Sequence, residues 1–299
     1  MYIKVMTMQQ QWSGVMQSDI KRWLDNFTGI TLEEQRLVYK LLVNIIYFSE
    51  TDMISVLKDG LYNKLFYRVI LEAQIKSNFE LTPDDLKKLI TDEMETTYFI
   101  PLLDRNAPHE SGNYILRLLV QHGIVKAQNS KFLSDLNVET RMFSRIVIVD
   151  DCVGSGDQIR GYWHKAKVDV EGENVMSLNQ YCKNQNVKVF YLVPFGYSDS
   201  IKRLQEVVEG LEVICVRELS EEQRVFNYNS YVWDGIEERQ KAFYFFEKYT
   251  RKRGIELRGY RDLDFAFIMH KTIPDWSLPL FWKESDKWKS LVRRKNSDV

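Results

Sequence analysis

The sequence predicts an α/β fold: a mainly parallel sheet with helices on both faces, preceded by a helical N-terminal region. Two features carry that prediction. Near residue 96 the apolar spacing changes from the period of amphipathic helices to short continuous apolar runs. Beyond that point, runs rich in β-branched and aromatic residues alternate with helical segments, as in strands joined by helical crossovers.

The helical region comprises "SDIKRWLDNF", "TLEEQRLVYKLLVNIIYFS", "TDMISVLKDGLYNKLFYRVILEAQIK" and "TPDDLKKLITDEM". Ser18, Thr31 and Thr82 open the first, second and fourth of these as expected N-caps, with acidic residues following Thr31 and Thr82 in the first turn. This region is expected to form a domain over residues 1–95, with a packing or oligomerisation role. The strands expected over residues 96–299 are "TTYFIPLL", "RIVIVD", "VKVFYLVPF", "LEVICVREL" and "LDFAFIMH". The segments between them read as helices: "SGNYILRLLVQHG", "GDQIRGYWHKAKV" with "SLNQYCKNQN", and "SDSIKRLQEVVEG". The stretch from Ser220 to Gly254 reads as a polar and aromatic insertion with one helix near Glu237 to Tyr249.

With 299 residues, 44% hydrophobic and 28% charged, the chain is long enough to bury a substantial core in one or two domains. A formal net charge of −1 predicts no global attraction to nucleic acid or anionic membrane, so charged partners must be sought in local patches. The three cysteines, Cys152, Cys182 and Cys215, form no CxxC pair and leave one thiol over in any disulfide scheme, which points to a reducing cytoplasm. The opening segment has no signal-peptide apolar run, and no segment reaches the roughly 20 apolar residues of a membrane span.

The segment "RIVIVDDCVGSGDQIRGYW" carries the chemistry. Asp150 and Asp151 end an apolar strand side by side, and like charges so close call for a metal, a cation or a set of hydroxyl groups. Gly154, Ser155 and Gly156 let the backbone approach a ligand, and the helix that follows aims free N–H groups and its positive end at a phosphate. In an open parallel sheet, ligands bind beyond the carboxyl ends of the strands, where this turn lies. The competing reading is a tight strand-to-helix turn, with Asp157 capping the helix and the carboxylates solvated. A receiver domain would need an aspartate ending a later strand, which "VKVFYLVPFG" does not supply, and no GxxxxGK[ST] string marks a P-loop. An amino-methyltransferase loop would need an acidic residue ending the next strand and a proline-rich tetrapeptide, and the sequence has neither.

"RIVIVDDCVGSGDQI" resembles the binding signature for phosphoribosyl pyrophosphate (PRPP) in type I phosphoribosyltransferases. The resemblance implies a sheet of phosphoribosyltransferase type, with Asp150 and Asp151 engaging the ribose hydroxyls directly or through Mg²⁺ and acting as the catalytic and metal-binding pair. It implies that Cys152, Val153, Gly154, Ser155, Gly156, Asp157 and Gln158 form the 5′-phosphate loop. Asp157 and Gln158 stand where the usual loop ends in a hydroxyl residue. Together with the helical N-terminus and "LDFAFIMHKTIPDWSLPLFWKES", the "GSGDQ" loop resembles the phosphoribosyltransferase-like proteins of bacterial conflict systems, some encoded beside retron reverse transcriptases. That resemblance implies an anti-phage effector and a ribonucleoprotein or reverse-transcriptase partner.

Further site residues are expected in "FIPLLDRNAPHESGNYILR", where Arg105, His109, Ser111 and Gly112 stand in the chain position of a pyrophosphate loop. His270 ends an expected strand near the sugar site, the alternative being a rigid aromatic connection with Pro274 and Pro279. Lys126 and Lys131 lie where related enzymes carry a mobile loop over the substrate, or else in a solvated loop. The basic-aromatic runs "YTRKRGIELRGYR" and "WKESDKWKSLVRRKN" suit either a nucleic-acid backbone or a solvated face. A non-catalytic nucleotide sensor would share the same loop, with the helical region passing occupancy to a partner.

Overall fold

The computed structural model describes residues 1–102, 111–137, 143–170, 174–270 and 272–293. In chain order the strands are β1 (Ile46–Phe48), β2 (Thr97–Pro101), β3 (Arg145–Val149), β4 (Cys152–Val153), β5 (Lys167–Val170), β6 (Asn174–Ser177), β7 (Lys188–Tyr197), β8 (Leu211–Leu219) and β9 (Phe267–Met269). They fall into two compact units, residues 54–218 and residues 1–53 with 219–299, here called the sheet unit and the aromatic unit.

The sheet unit has the expected α/β architecture. Its five strands run β2-β3-β7-β4, with β8 also paired to β7. The β2–β3, β3–β7 and β4–β7 pairs are parallel. Tyr98, Ile100, Ile146, Ile148, Val189, Tyr191, Val193, Val213 and Cys215, alternate residues along their strands, share one core with Ile159, Trp163, Leu178, Ile201 and Leu204 from three helices. The intervening residues Phe99, Val147, Phe190 and Leu192 are also buried, so both faces are covered, as a parallel sheet requires.

Part of the N-terminal helical region supplies the cover on that second face. A Cβ on Gly60 would come within 2.7 Å of Val216 Cγ2 and 2.8 Å of Leu192 Cδ1, so only glycine lets the chain lie this close to the sheet. Lys64 Nζ then donates to the Cys215 carbonyl at 2.7 Å. The boundary expected at residue 95 is therefore drawn elsewhere: residues 54–95 belong with the sheet because its second face is apolar. The expected helix after Gly156 is interrupted too. After the helix Asp157–Lys165 come β5 and β6, an antiparallel hairpin, before the helix Leu178–Asn184.

The aromatic unit joins the two ends of the chain. β1 pairs in parallel with β9, Ile46 opposite Phe267, so "LDFAFIMH" forms no part of the main sheet. Trp23 and Trp288 both donate their indole N–H to the Leu280 carbonyl, at 2.7 and 2.9 Å, and Phe27 packs edge-on against both rings. The "LPLFW" segment thus seals a core. The stretch read as an insertion from Ser220 to Gly254 contributes Val225, Phe226, Trp233, Phe245 and Phe246 to that same core, with its helix at Ile236–Arg251.

Candidate functional site

The paired carboxylates sit at a break in one strand. Val149 lies opposite Leu192 and Cys152 opposite Phe195, so the register continues unbroken from β3 into β4 and sets Asp150 and Asp151 against Val193 and Pro194. The Asp150 N–H donates to the Leu192 carbonyl at 3.3 Å. The next ladder bond would run from residue 194 to the Asp150 carbonyl, and proline has no N–H to give. Pairing lapses there and resumes at Cys152, so the two acids stand in the gap of the ladder.

Asp150 is 2% and Asp151 6% exposed, so the competing reading, in which both carboxylates are solvated, is corrected. Asp150 Oδ1 accepts from Ser111 Oγ at 2.6 Å and from the Asp151 N–H at 2.9 Å, and its Oδ2 accepts from the Tyr191 hydroxyl at 3.2 Å. Burial first, and the adjacent Asp151 charge second, push the Asp150 carboxyl well above the usual carboxylate range against the pull of those three hydrogen bonds. Burial and the Asp150 charge likewise drive the Tyr191 phenol well above its ordinary value.

Ser111 reaches Asp150 because Gly112 follows it. A Cβ at Gly112 would lie 2.6 Å from the Leu102 carbonyl oxygen, 2.7 Å from the Leu102 nitrogen and 3.0 Å from the Val149 carbonyl oxygen. Glycine lets the helix Ser111–Gln121 begin directly against the ends of β2 and β3. Tyr191 escaped the sequence reading; its signal was a single hydroxyl in the otherwise apolar run "VFYLV", since a buried phenol needs a polar partner.

The loop follows at once. Cys152, half-buried and outside any disulfide, and Val153 form β4, and Gly154 is buried. Gly156, not Asp157, is the N-cap of the helix Asp157–Lys165, at φ 79°, a left-handed conformation that favours glycine. The Asp157 N–H donates to Ser155 Oγ at 3.2 Å, while the Asp157 carboxylate accepts from the Ser155 hydroxyl at 3.1 Å and from Arg160 Nη2 at 2.8 Å. The Arg160 guanidinium therefore offsets the charge that Asp157 brings to the loop. Gln158 is exposed on the first turn.

The other expected residues that are described have partners of their own. Arg105 and His109 lie outside the described residues. Lys126 pairs with Glu95 at 3.0 Å, and Lys131 sits 5.4 Å over the Tyr98 ring while its N–H donates to the Phe99 carbonyl. Lys126 thus pairs at the end of the helix Pro83–Glu95 and Lys131 lies along β2, and only residues 138–142 of the expected mobile loop fall outside the described residues. His270 belongs to the aromatic unit, where Nδ1 meets Ser13 Oγ at 3.0 Å and Nε2 lies 3.4 Å from Glu50. In the basic runs, Arg253 packs on Tyr249 and Trp288 and donates to the Asn26 carbonyl, so that charge is used inside the unit. Among the described residues no group of three or more His, Cys, Asp or Glu is placed to hold a metal ion, and no helix is long and apolar enough to cross a membrane.

No curated protein matches the chain. Among solved structures, orotate phosphoribosyltransferase from Aeropyrum pernix is similar, with 15% identity over 43% of this chain and 62% of that one, at a TM-score of 0.26. The model of the PRTase-CE family matches residues 20–294, nearly the whole length, and the chain belongs to that family.

Proposed function

We propose that the sheet unit binds PRPP or a related ribose-phosphate nucleotide and acts as a phosphoribosyltransferase-like enzyme at the anomeric carbon. The observation that carries this reading is the direct succession, at the carboxyl end of a central parallel strand, of two buried carboxylates and a turn with a left-handed glycine opening a helix. Such a succession offers acceptors for vicinal hydroxyls beside backbone donors for a phosphate. Transfer would break the bond from C1 to pyrophosphate and form one from C1 to an acceptor; cleavage would use water.

Mg²⁺ fits this site only in company with the ligand. Asp150 accepts from Ser111, the Asp151 N–H and Tyr191, and two carboxylates leave most of an octahedral shell to water and substrate oxygens, a common way of holding Mg²⁺. Asp150 and Asp151 are the residues that would hold it, and when bound it would neutralise charge on the phosphates. An anti-phage role, with a retron-type ribonucleoprotein as partner, is proposed on the sequence resemblance alone.

One observation favours a non-catalytic sensor as the second reading: Asp150 is already bonded to Ser111 and Tyr191, which fixes it instead of leaving it free for a sugar. Calorimetry with PRPP and Mg²⁺, run alongside mass spectrometry of a PRPP, NAD and nucleotide panel, separates the two. Binding with turnover supports the enzyme, binding without turnover the sensor. Unchanged affinity in the Asp150→Asn, Asp151→Asn double variant would remove the ribose assignment from both.

A further inference from the structure

In the aromatic unit the helix Ile236–Arg251 buries Ala242, Phe245 and Phe246 in the core and presents Arg239, Gln240, Phe243 and Tyr244 elsewhere. These four line an open cleft of about 200 Å³ together with Phe226 and Arg258. Arg239 donates from Nη1 to the Phe226 carbonyl at 3.0 Å and lies over the Tyr228 ring, while Arg258 lies over the Phe243 ring at 5.6 Å. The Nε of each guanidinium is buried with no hydrogen-bond partner. Among the described residues neither arginine is in an ion pair, whereas Arg224, nearby in sequence, is paired with both Asp264 and Glu221.

Two guanidinium groups without a counter-charge, each with an unanswered buried donor, are costly to bring to one cleft unless an anion answers them. A guanidinium presents its donors as a planar fork that suits the tetrahedral oxygens of a phosphate. The open cleft admits a phosphate group, and Tyr244 and Tyr228, each 66% exposed, leave aromatic surface for an organic remainder outside. We propose that this cleft is a binding site for the phosphate of a small phosphomonoester, held by Arg239 and Arg258 and separate from the Asp150 loop.

The test uses the full chain and follows the arginine Nε–H resonances by NMR, assigned with Arg239→Gln and Arg258→Gln. Inorganic phosphate and a 5′-mononucleotide are expected to shift both resonances, and the matching nucleoside to shift neither. Each substitution should weaken phosphate binding at this site at least about tenfold. Arg251→Gln, an exposed arginine on the same helix, should leave it unchanged. Arg258→Lys keeps the charge without the fork and should weaken binding with the fold intact, which keeps the test decisive if Arg258→Gln does not fold. The shifts should persist in the Asp150→Asn, Asp151→Asn background, separating this site from the one proposed above. Resonances unmoved by phosphate, or substitutions that lower Tm without altering phosphate affinity, would make the arginines packing groups only. Shifts caused by single-stranded RNA but not by the mononucleotide would overturn the small-ligand assignment.

Discussion

Ser111 Oγ donates to Asp150 Oδ1 at 2.6 Å across 39 residues of sequence, tying the start of a helix to the end of the neighbouring strand. With Tyr191 on the other oxygen, Asp150 is clamped from two elements at once. Desolvation works against the charge of this carboxyl and the clamp works for it, so variants that change one and keep the other separate the two effects.

Replacing Tyr191 with Phe removes the donor to Asp150 Oδ2 and keeps the ring. A buried acceptor is left with one fewer partner, and stability should fall by about 1–3 kcal/mol in urea unfolding. A loss below about 0.5 kcal/mol would show that the phenol does not support Asp150.

Asp150→Asn should invert the usual pH response of an aspartate. Because the folded-state pKa of Asp150 is raised, its protonated form stabilises the fold fully below the ordinary aspartate value and that contribution is lost as pH rises through the raised one. The isosteric amide has no charge to desolvate. The variant should match wild type near pH 4 and become the more stable of the two as pH rises to 8, read from unfolding curves across that range. A variant less stable than wild type at pH 8 would mean that Asp150 is held ionised.

At Gly112 the effect is steric. Its Cβ would meet backbone atoms of Leu102 and Val149, none of which can swing aside, so Gly112→Ala should cost about 1–3 kcal/mol and displace Ser111 from Asp150. Combining it with Ser111→Ala should then cost less than the sum of the two. Additive losses would separate the glycine from the clamp.

The loop acid has a partner, which sets the sign for Asp157→Ser. The change removes a carboxylate and releases Arg160 toward the turn, so calorimetry should show tighter binding of PRPP or any 5′-phosphate. Weaker binding that added Mg²⁺ partly restores would place Asp157 among the ligand-holding groups.

Local features were legible in the sequence. Thr31 and Thr82 cap their helices as expected, each accepting from the backbone N–H three residues on, because a cap is decided within one turn. Ser18 failed for an equally local reason: its helix starts at Gln17, and the Asp19 carboxylate takes the Met16 N–H instead. The apolar runs of β2, β3, β7 and β8 and the acid-glycine turn were likewise readable, since strand period and turn chemistry reside in neighbouring residues. Which surfaces those elements cover was decided only in three dimensions. The tertiary structure laid residues 54–95 with the sheet, paired β1 with β9, bonded Trp23 to Leu280 across 257 residues, set Pro194 against Asp151 and brought Tyr191 to Asp150. Each depends on apolar area or a polar partner supplied by a distant part of the chain, and a pattern read along a few turns carries no record of which distant surface will meet it.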